Sequence, residues 1–215
     1  MITSPVEFAV SAAILAGGRA RRFGGADKAS LVVGPARIID RQLAALAAVT
    51  RDVRIVTSDP SRYGGIGVRT IPDAIAGVGP LGGIYTALLD AAHERVLVLA
   101  CDLPFVTAAV LQRLVAESQA EEIDAVVPRS ARGLEPLCAL YRTRCAGAAK
   151  ELIEAGVLPA ARLLDRVRTR VLGPEVLAPY DDGSLFENVN TPHDHERARG
   201  WVELNEKPSK DRITE

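Results

Sequence analysis

The sequence predicts an α/β fold: three layers, with a mostly parallel sheet held between helices. Three observations lead there. Short apolar runs alternate with stretches of helical periodicity through the first half of the chain, which is the pattern of strands joined by crossover helices. The runs at residues 10–15, 53–56 and 96–100 are largely apolar along their length rather than strictly alternating, as strands covered on both faces must be. The two most chemically distinctive segments follow directly on such runs, after Leu15 and after Ala100. Those are carboxyl ends of strands, where open parallel sheets bind their ligands.

Taken in order, residues 10–15 read as a buried strand entering a turn at Ala16-Gly17-Gly18. Residues 38–49 repeat apolar side chains at helical spacing, and residues 53–56 and 68–71 form the next two strands. A helix over residues 80–92 starts beside a glycine-rich turn, and residues 96–100 make a central strand. Thr107 is a suitable N-cap for a helix running through Val115. Strands are expected at 125–127 and 137–141, helices at 143–155 and 160–166. Residues 167–172 suit an edge strand because of their arginines, and 191–203 a final helix. Neither a repeat nor a low-complexity linker calls for a second domain. Residues 1–203 therefore read as one domain and 204–215 as a polar, disordered tail.

Composition narrows the function classes. The chain has 215 residues, 48% of them hydrophobic, 25% charged and only 4% aromatic, so the core must be aliphatic and alanine-rich. A net charge of −1 supplies no global field for nucleic acid. No stretch reaches the ~18 apolar residues of a membrane span. Residues 1–10 carry Glu7 without a basic region and do not read as a signal peptide. Cys101, Cys138 and Cys145 are odd in number and fit no zinc spacing, so reduced, partly buried thiols in a cytoplasmic protein are expected. His193 and His195 stand two apart, cannot share a helix face, and do not make a metal pair.

The segment Leu15-Ala16-Gly17-Gly18-Arg19-Ala20-Arg21-Arg22-Phe23-Gly24-Gly25-Ala26-Asp27-Lys28 concentrates glycine and positive charge. Glycines let backbone N–H groups approach a phosphate. Arg22 offers a forked contact and Lys28 a point charge. The P-loop pattern fails, because Asp27 precedes Lys28 and Ala29 follows it. The dinucleotide fingerprint Gly-x-Gly-x-x-Gly is absent from the loop as well. Without an anion, such a loop would be a solvated basic surface.

Further along, Asp102 sits at the end of the apolar run 96–100, in Cys101-Asp102-Leu103-Pro104. A carboxylate at a buried strand end needs a partner or a cation, and Mg²⁺ accepts one or two carboxylates together with waters and substrate phosphates. Taken alone, Asp102 could equally be a turn acceptor. Between the two segments lie Ile71-Pro72-Asp73 and the turn Gly77-Val78-Gly79-Pro80-Leu81-Gly82-Gly83, whose glycines can bring backbone groups against a base edge. Guanine presents N–H donors that ask for such acceptors. The C-terminal half contributes Glu135-Pro136-Leu137 and Asn188-Val189-Asn190-Thr191-Pro192. Arg132 and Arg162 are each placed to meet an acceptor phosphate, though either could be a solvated surface residue.

These pieces, in this order, resemble the molybdenum cofactor guanylyltransferases. Residues 15–28 match the family's Leu-Ala-Gly-Gly-x-x-x-Arg-[Met/Phe]-Gly-x-x-Asp-Lys signature, with Phe23 where Met is commoner. Cys101-Asp102-x-Pro104 and Asn188-Val189-Asn190-Thr191-Pro192 match two more family motifs, and the likeness spans roughly residues 11–200. One departure is Val56-Thr57-Ser58-Asp59, where the family often carries an Asn against the nucleotide; Thr57 and Ser58 are the candidates to replace it.

The resemblance implies a Rossmann-like nucleotidyltransferase domain of the GT-A-like type. It implies that Leu15, Ala16, Gly17, Gly18, Lys28, Asp73, Pro80, Leu81 and Asp102 bind the nucleotide. Arg22, Lys28 and Asp102 would carry the chemistry, Asp102 would hold Mg²⁺, and Asn188 and Asn190 would place the acceptor. The implied reaction is attack by the terminal phosphate of molybdopterin on the α-phosphorus of GTP, with loss of pyrophosphate. Transient contact with other cofactor-synthesis proteins and with apo-molybdoenzymes follows from the same resemblance. Alternatives are a cytidylyltransferase or another nucleotidyltransferase on the same fold, or a non-catalytic nucleotide-binding module. Cytidylyl relatives tend to Leu-Ala-Ala-Gly and lack the Gly-Pro-Leu turn, whereas this chain has Leu15-Ala16-Gly17-Gly18 and Gly79-Pro80-Leu81.

Overall fold

A computed structural model describes residues 9–17 and 28–205. Gly18 and Arg22 therefore lie outside the described residues, as does the expected tail from residue 206 onward. The elements are β1 (Val10–Leu15), β2 (Val32–Val33), β3 (Ala36–Arg37), α1 (Ile38–Ala47), β4 (Val53–Val56), β5 (Arg69–Ile71), α2 (Gly79–Asp90), β6 (Arg95–Ala100) and α3 (Ala108–Glu117). They continue with β7 (Ala125–Ser130), β8 (Gly133–Leu134), β9 (Cys138–Arg142), α4 (Ala146–Glu154), α5 (Ala161–Leu164), β10 (Thr169–Leu172), α6 (Pro174–Leu177) and α7 (Pro192–Asn205).

The main sheet runs β10-β7-β9-β6-β1-β4-β5, with β8 paired to β7. β1 is parallel to both of its neighbours, and β5 and β10 are parallel to theirs. The short β8 pairs antiparallel with β7, and β9 runs antiparallel between β6 and β7. It follows β7 through a short hairpin link rather than a crossover helix, and a short link can join only antiparallel strands. β10 forms the edge that its arginines predicted. The pair β2–β3, the two-residue β8 and the single turn α6 escaped the sequence reading because each is too short to show a period.

β1 and β6 send alternate side chains to opposite faces, as a pleated strand must. Val10, Ala12 and Ile14 join Leu97 and Leu99 in a core shared with α1 and α3. Ala13 and Leu15 join Val96 and Val98 in a second core shared with α2, α4 and α5. A third cluster joins Val33 and Ile38 to Phe105, Val189, Ala198 and Val202, and so docks α7 on the β2–β3 hairpin. α3 begins as predicted: the Thr107 hydroxyl accepts from the Val110 N–H at 3.4 Å. α7 opens with a reciprocal cap, in which Thr191 Oγ1 accepts from Asp194 N while Asp194 Oδ2 accepts from Thr191 N and Asn190 N.

α2 lies close over β1. A Cβ on Gly83 would stand 3.1 Å from Leu15 Cδ1 and 3.2 Å from Cδ2, so only glycine lets the helix approach this near. Gly83→Val should destabilise the fold by about 1–3 kcal/mol through overpacking. Gly147→Ala on α4, whose Cβ would meet open space, should instead gain about 0.5–1 kcal/mol. Urea denaturation of the two variants checks the contrast.

Candidate active site

The strand order reverses direction at β1. The chain leaves β1 for β4 and β5 on one side, then returns to lay β6 on the other. The crevice at that switch point is where an open sheet can hold a ligand. Residues after β1, β4, β5 and β6 converge there, together with Leu137 just before β9. The cleft has two compartments that share Leu15, Gly17 and Pro80.

The first compartment, about 380 Å³, is bounded by Ser58, Asp73, Ile75 and the turn at Gly77 and Gly79. Both glycines hold positive φ, +81° and +67°, a conformation that leaves the backbone exposed and that side-chain-bearing residues rarely adopt. Asp73 is half-buried and faces Gly17, where a Cβ would stand 3.7 Å from Asp73 Oδ2. Burial raises the Asp73 carboxyl above its ordinary range. Thr57 is not free to serve a ligand: its hydroxyl donates to Ala16 O at 3.1 Å and accepts from Asp59 N at 3.2 Å. Ser58 is exposed and lines the compartment. Of the two candidates for the missing Asn, Ser58 is the one the fold presents. Leu81 sits elsewhere: its side chain is fully buried in the core beneath α2 and adds nothing to the cleft surface.

The second compartment, about 170 Å³, is bounded by Lys28, Cys101, Asp102 and Leu137. Lys28 Nζ lies 3.6 Å from Asp102 Oδ2 and donates to Asn190 Oδ1 at 2.5 Å. The Asp102 side chain is only 17% exposed. Burial pushes its carboxyl up, against the opposing pull of Lys28 and, more weakly, of Arg132. Its Oδ1 is buried and finds no hydrogen-bond partner among the described residues. A lone oxygen of that kind is costly unless a ligand reaches it. One hard carboxylate beside space for phosphate and water suits Mg²⁺. Among the described residues no cluster of three or more His, Cys, Asp or Glu offers a metal cage, so substrate oxygens would complete the coordination.

Several supporting residues had no motif to reveal them. Gln42 is buried on the apolar face of α1 and donates to Ala100 O at 2.7 Å and Leu103 O at 3.1 Å. It fixes the backbone on either side of Asp102. Its signal was a polar side chain inside an apolar helical stripe. On the far wall, Val189 N donates to Asp102 O at 2.9 Å. Arg132 Nη2 donates to Asn188 Oδ1 at 2.7 Å and to Phe186 O. Neither arginine lines a compartment: Arg132 is tied to the segment that carries Asn188 and adds a weak field at Asp102, whereas Arg162 is exposed on α5 and pairs with Asp165 at 3.2 Å. His195 Nε2 lies 2.7 Å from Val32 O and ties α7 to β2. Burial raises the thiols of Cys138, to about 12, and Cys145, to about 11, so neither is a nucleophile near neutral pH.

Comparison with known proteins agrees with this geometry. Residues 12–171 match the family described as the MobA-like NTP transferase domain. The chain belongs to that family. A molybdenum cofactor guanylyltransferase of Desulfosudis oleivorans is 34% identical over 195 residues, covering 90% of this chain and 96% of that protein. A probable molybdenum cofactor guanylyltransferase of Pelotomaculum thermopropionicum is 38% identical over 191 residues, covering 88% and 92%. The crystal structure of molybdopterin-guanine dinucleotide biosynthesis protein A from Archaeoglobus fulgidus aligns with TM-score 0.78 and 28% identity over 90% of this chain and 99% of that one. The MobA-like fold and the resemblance read in the motifs therefore hold, and the chain is a nucleotidyltransferase.

The raised Asp102 carboxyl makes a claim about the MobA-like fold itself. A carboxylate penalised in the folded state costs nothing below its ordinary pKa of 3.8. The cost sets in as pH rises through the raised value and is full above it. Asp102→Asn should therefore melt higher than the wild type near neutral pH without metal or nucleotide, and the gap should close as pH falls toward about 4. Asp73 is raised in both proteins and cancels in the difference. Calorimetric Tm values across that range decide; parallel curves would contradict the burial argument.

Proposed function

We propose that this chain is a guanylyltransferase: it transfers GMP from GTP to the terminal phosphate of molybdopterin and releases pyrophosphate. The observation that carries the reading is Lys28 and Asp102, 3.6 Å apart at the β1/β6 crevice, with the buried Asp102 Oδ1 still unpartnered among the described residues. The names of the curated relatives support the choice of base and acceptor.

The residues divide the work. Asp73 and the exposed backbone at Gly77 and Gly79 accept the N–H donors of guanine. Leu15, Gly17 and Pro80 form the shared wall along which ribose and phosphates run. Lys28 balances charge on the phosphates, with Arg22 from outside the described residues as its proposed companion. Asp102 Oδ1 would hold Mg²⁺, which would neutralise the charge developing on the phosphates. Asn188 and Asn190 flank the acceptor, each with an amide N–H₂ to donate to a phosphate oxygen. An acceptor phosphate oxygen forms the new bond to the α-phosphorus; the bond to the bridging oxygen breaks, and that oxygen leaves with pyrophosphate. The nucleophile is already ionised, so catalysis is positioning and charge balance rather than proton abstraction. Use of GTP and the buried thiols of Cys138 and Cys145 support a cytoplasmic setting.

Pyrophosphate release should require GTP, Mg²⁺ and molybdopterin together. Equal or greater release with CTP would overturn the base assignment. Asp102→Ala should lower turnover by roughly 10²–10³-fold, the scale of losing one electrostatic stabiliser. Asp73→Ala should reduce the preference for GTP over ATP by about 10–100-fold, as expected when a buried acceptor for a base N–H is lost. Steady-state kinetics on both variants measure these effects.

A further inference from the structure

The bond between Lys28 and Asn190 assigns Asn190 a second task. Lys28 stands at the start of a 3₁₀ turn, Lys28–Ser30, anchored by the fully buried Ala29. Its Cα is therefore fixed, but its ammonium rides on a four-carbon stem with wide rotamer freedom. Two groups compete for that ammonium: Asn190 Oδ1 at 2.5 Å and Asp102 Oδ2 at 3.6 Å. A neutral amide holds the nearer position while a buried carboxylate waits one ångström farther away. Coulomb attraction alone favours the reverse order.

Asn190 is itself held firmly. Its N–H donates to Asp194 Oδ2 at 3.1 Å inside the cap of α7. The preceding Val189 N donates to Asp102 O at 2.9 Å, and the Val189 side chain is buried in the cluster that docks α7. The segment bearing Asn190 is thus built against the same backbone that carries Asp102.

We propose that Asn190 is a positioning residue for Lys28: it holds the ammonium away from Asp102, leaving the carboxylate open to a cation and the ammonium directed at phosphate. This deepens the guanylyltransferase reading and rests on its placement of the triphosphate beside Lys28. Without Asn190, Lys28 closes onto Asp102, and both lose their phosphate-side roles at once. A contact with the acceptor alone would leave nucleotide binding untouched, so the two roles separate experimentally.

The test is a double-mutant cycle of Asn190→Ala and Lys28→Ala, read as GTP affinity by calorimetry with no acceptor present, once in EDTA and once in Mg²⁺. Asn190→Ala should weaken GTP binding about tenfold and raise the Mg²⁺ concentration needed for half-maximal binding. In the Lys28→Ala background the same change should cost less than about twofold, because interacting residues are not additive. Unchanged GTP affinity in Asn190→Ala, or additive losses in the double variant, would overturn the proposal. Should Asn190→Ala melt below the working temperature, Asn190→Ser serves in its place, since its shorter side chain also loses the contact. If the wild type binds CTP in place of GTP, the guanylyl reading fails, yet the same cycle run with CTP still decides the role of Asn190.

Discussion

The burial of one carboxylate organises this site. Asp102 ends a strand whose residues Val96 to Leu99 are wholly buried, so the chain delivers a negative charge to the crevice at the cost of most of its hydration. Everything around it answers that cost in part. Lys28 approaches one oxygen, Val189 pins the Asp102 carbonyl, Gln42 clamps the carbonyls of Ala100 and Leu103, and Arg132 adds a weaker field. None of these reaches Oδ1. The folded protein thus keeps one strong acceptor undersatisfied among its described residues, and a binding site is the setting in which such a defect is worth keeping.

The two compartments meet different physical demands. The first has close-packed walls: α2 rests on β1 at a glycine, and Asp73 lies two residues beyond β5. Phosphate chemistry needs movable or balanced charge. There the groups are a flexible lysine, a buried aspartate and an amide brought from far along the chain. The shared wall of Leu15, Gly17 and Pro80 joins the two compartments into one cleft.

Much of this was legible in the sequence, for definable reasons. The strand at residues 10–15 and the one at 53–56 match the structure at both ends, because a buried strand must be apolar throughout and ends where polar turn chemistry begins. The N-cap at Thr107 was legible because the cap is a local rule. Asp102 was legible as a carboxylate at a strand end, and Asp73 through the family resemblance. Residues whose role depends on contacts across the fold were harder to see. Gln42 reads as an ordinary polar position until α1 is laid against residues 100–103. Leu81 stands within a motif that lines a cleft, yet the helical turn carries its side chain to the sheet. Arg132 and Arg162 were indistinguishable by composition and were separated only by the β7–β8 hairpin, which brings Arg132 to Asn188. The reversal of β9 followed from link length rather than from any residue.

The contacts that assemble the compartment around Lys28 and Asp102 join segments far apart in the chain. Lys28 and Asn190 are separated by 162 positions, and Gln42 spans 58 to reach Ala100. Closing such separations costs chain entropy that local elements do not face. The parallel strands β1, β4 and β6 create the crevice, and α7 adds Asn190 to it by docking through Phe105, Val189 and Val202 on a hairpin of two-residue strands. That hairpin is too short to stand alone. It is held by α7, and α7 by it. The positioning of the charged pair thus depends on the smallest of the three cores, while the compartment around Asp73 is built into one of the two large ones. Local stability follows buried apolar contact, so the compartment around Asp73 is backed by a larger core than the segment that brings Asn190 to Lys28, and the boundary between them falls at β1.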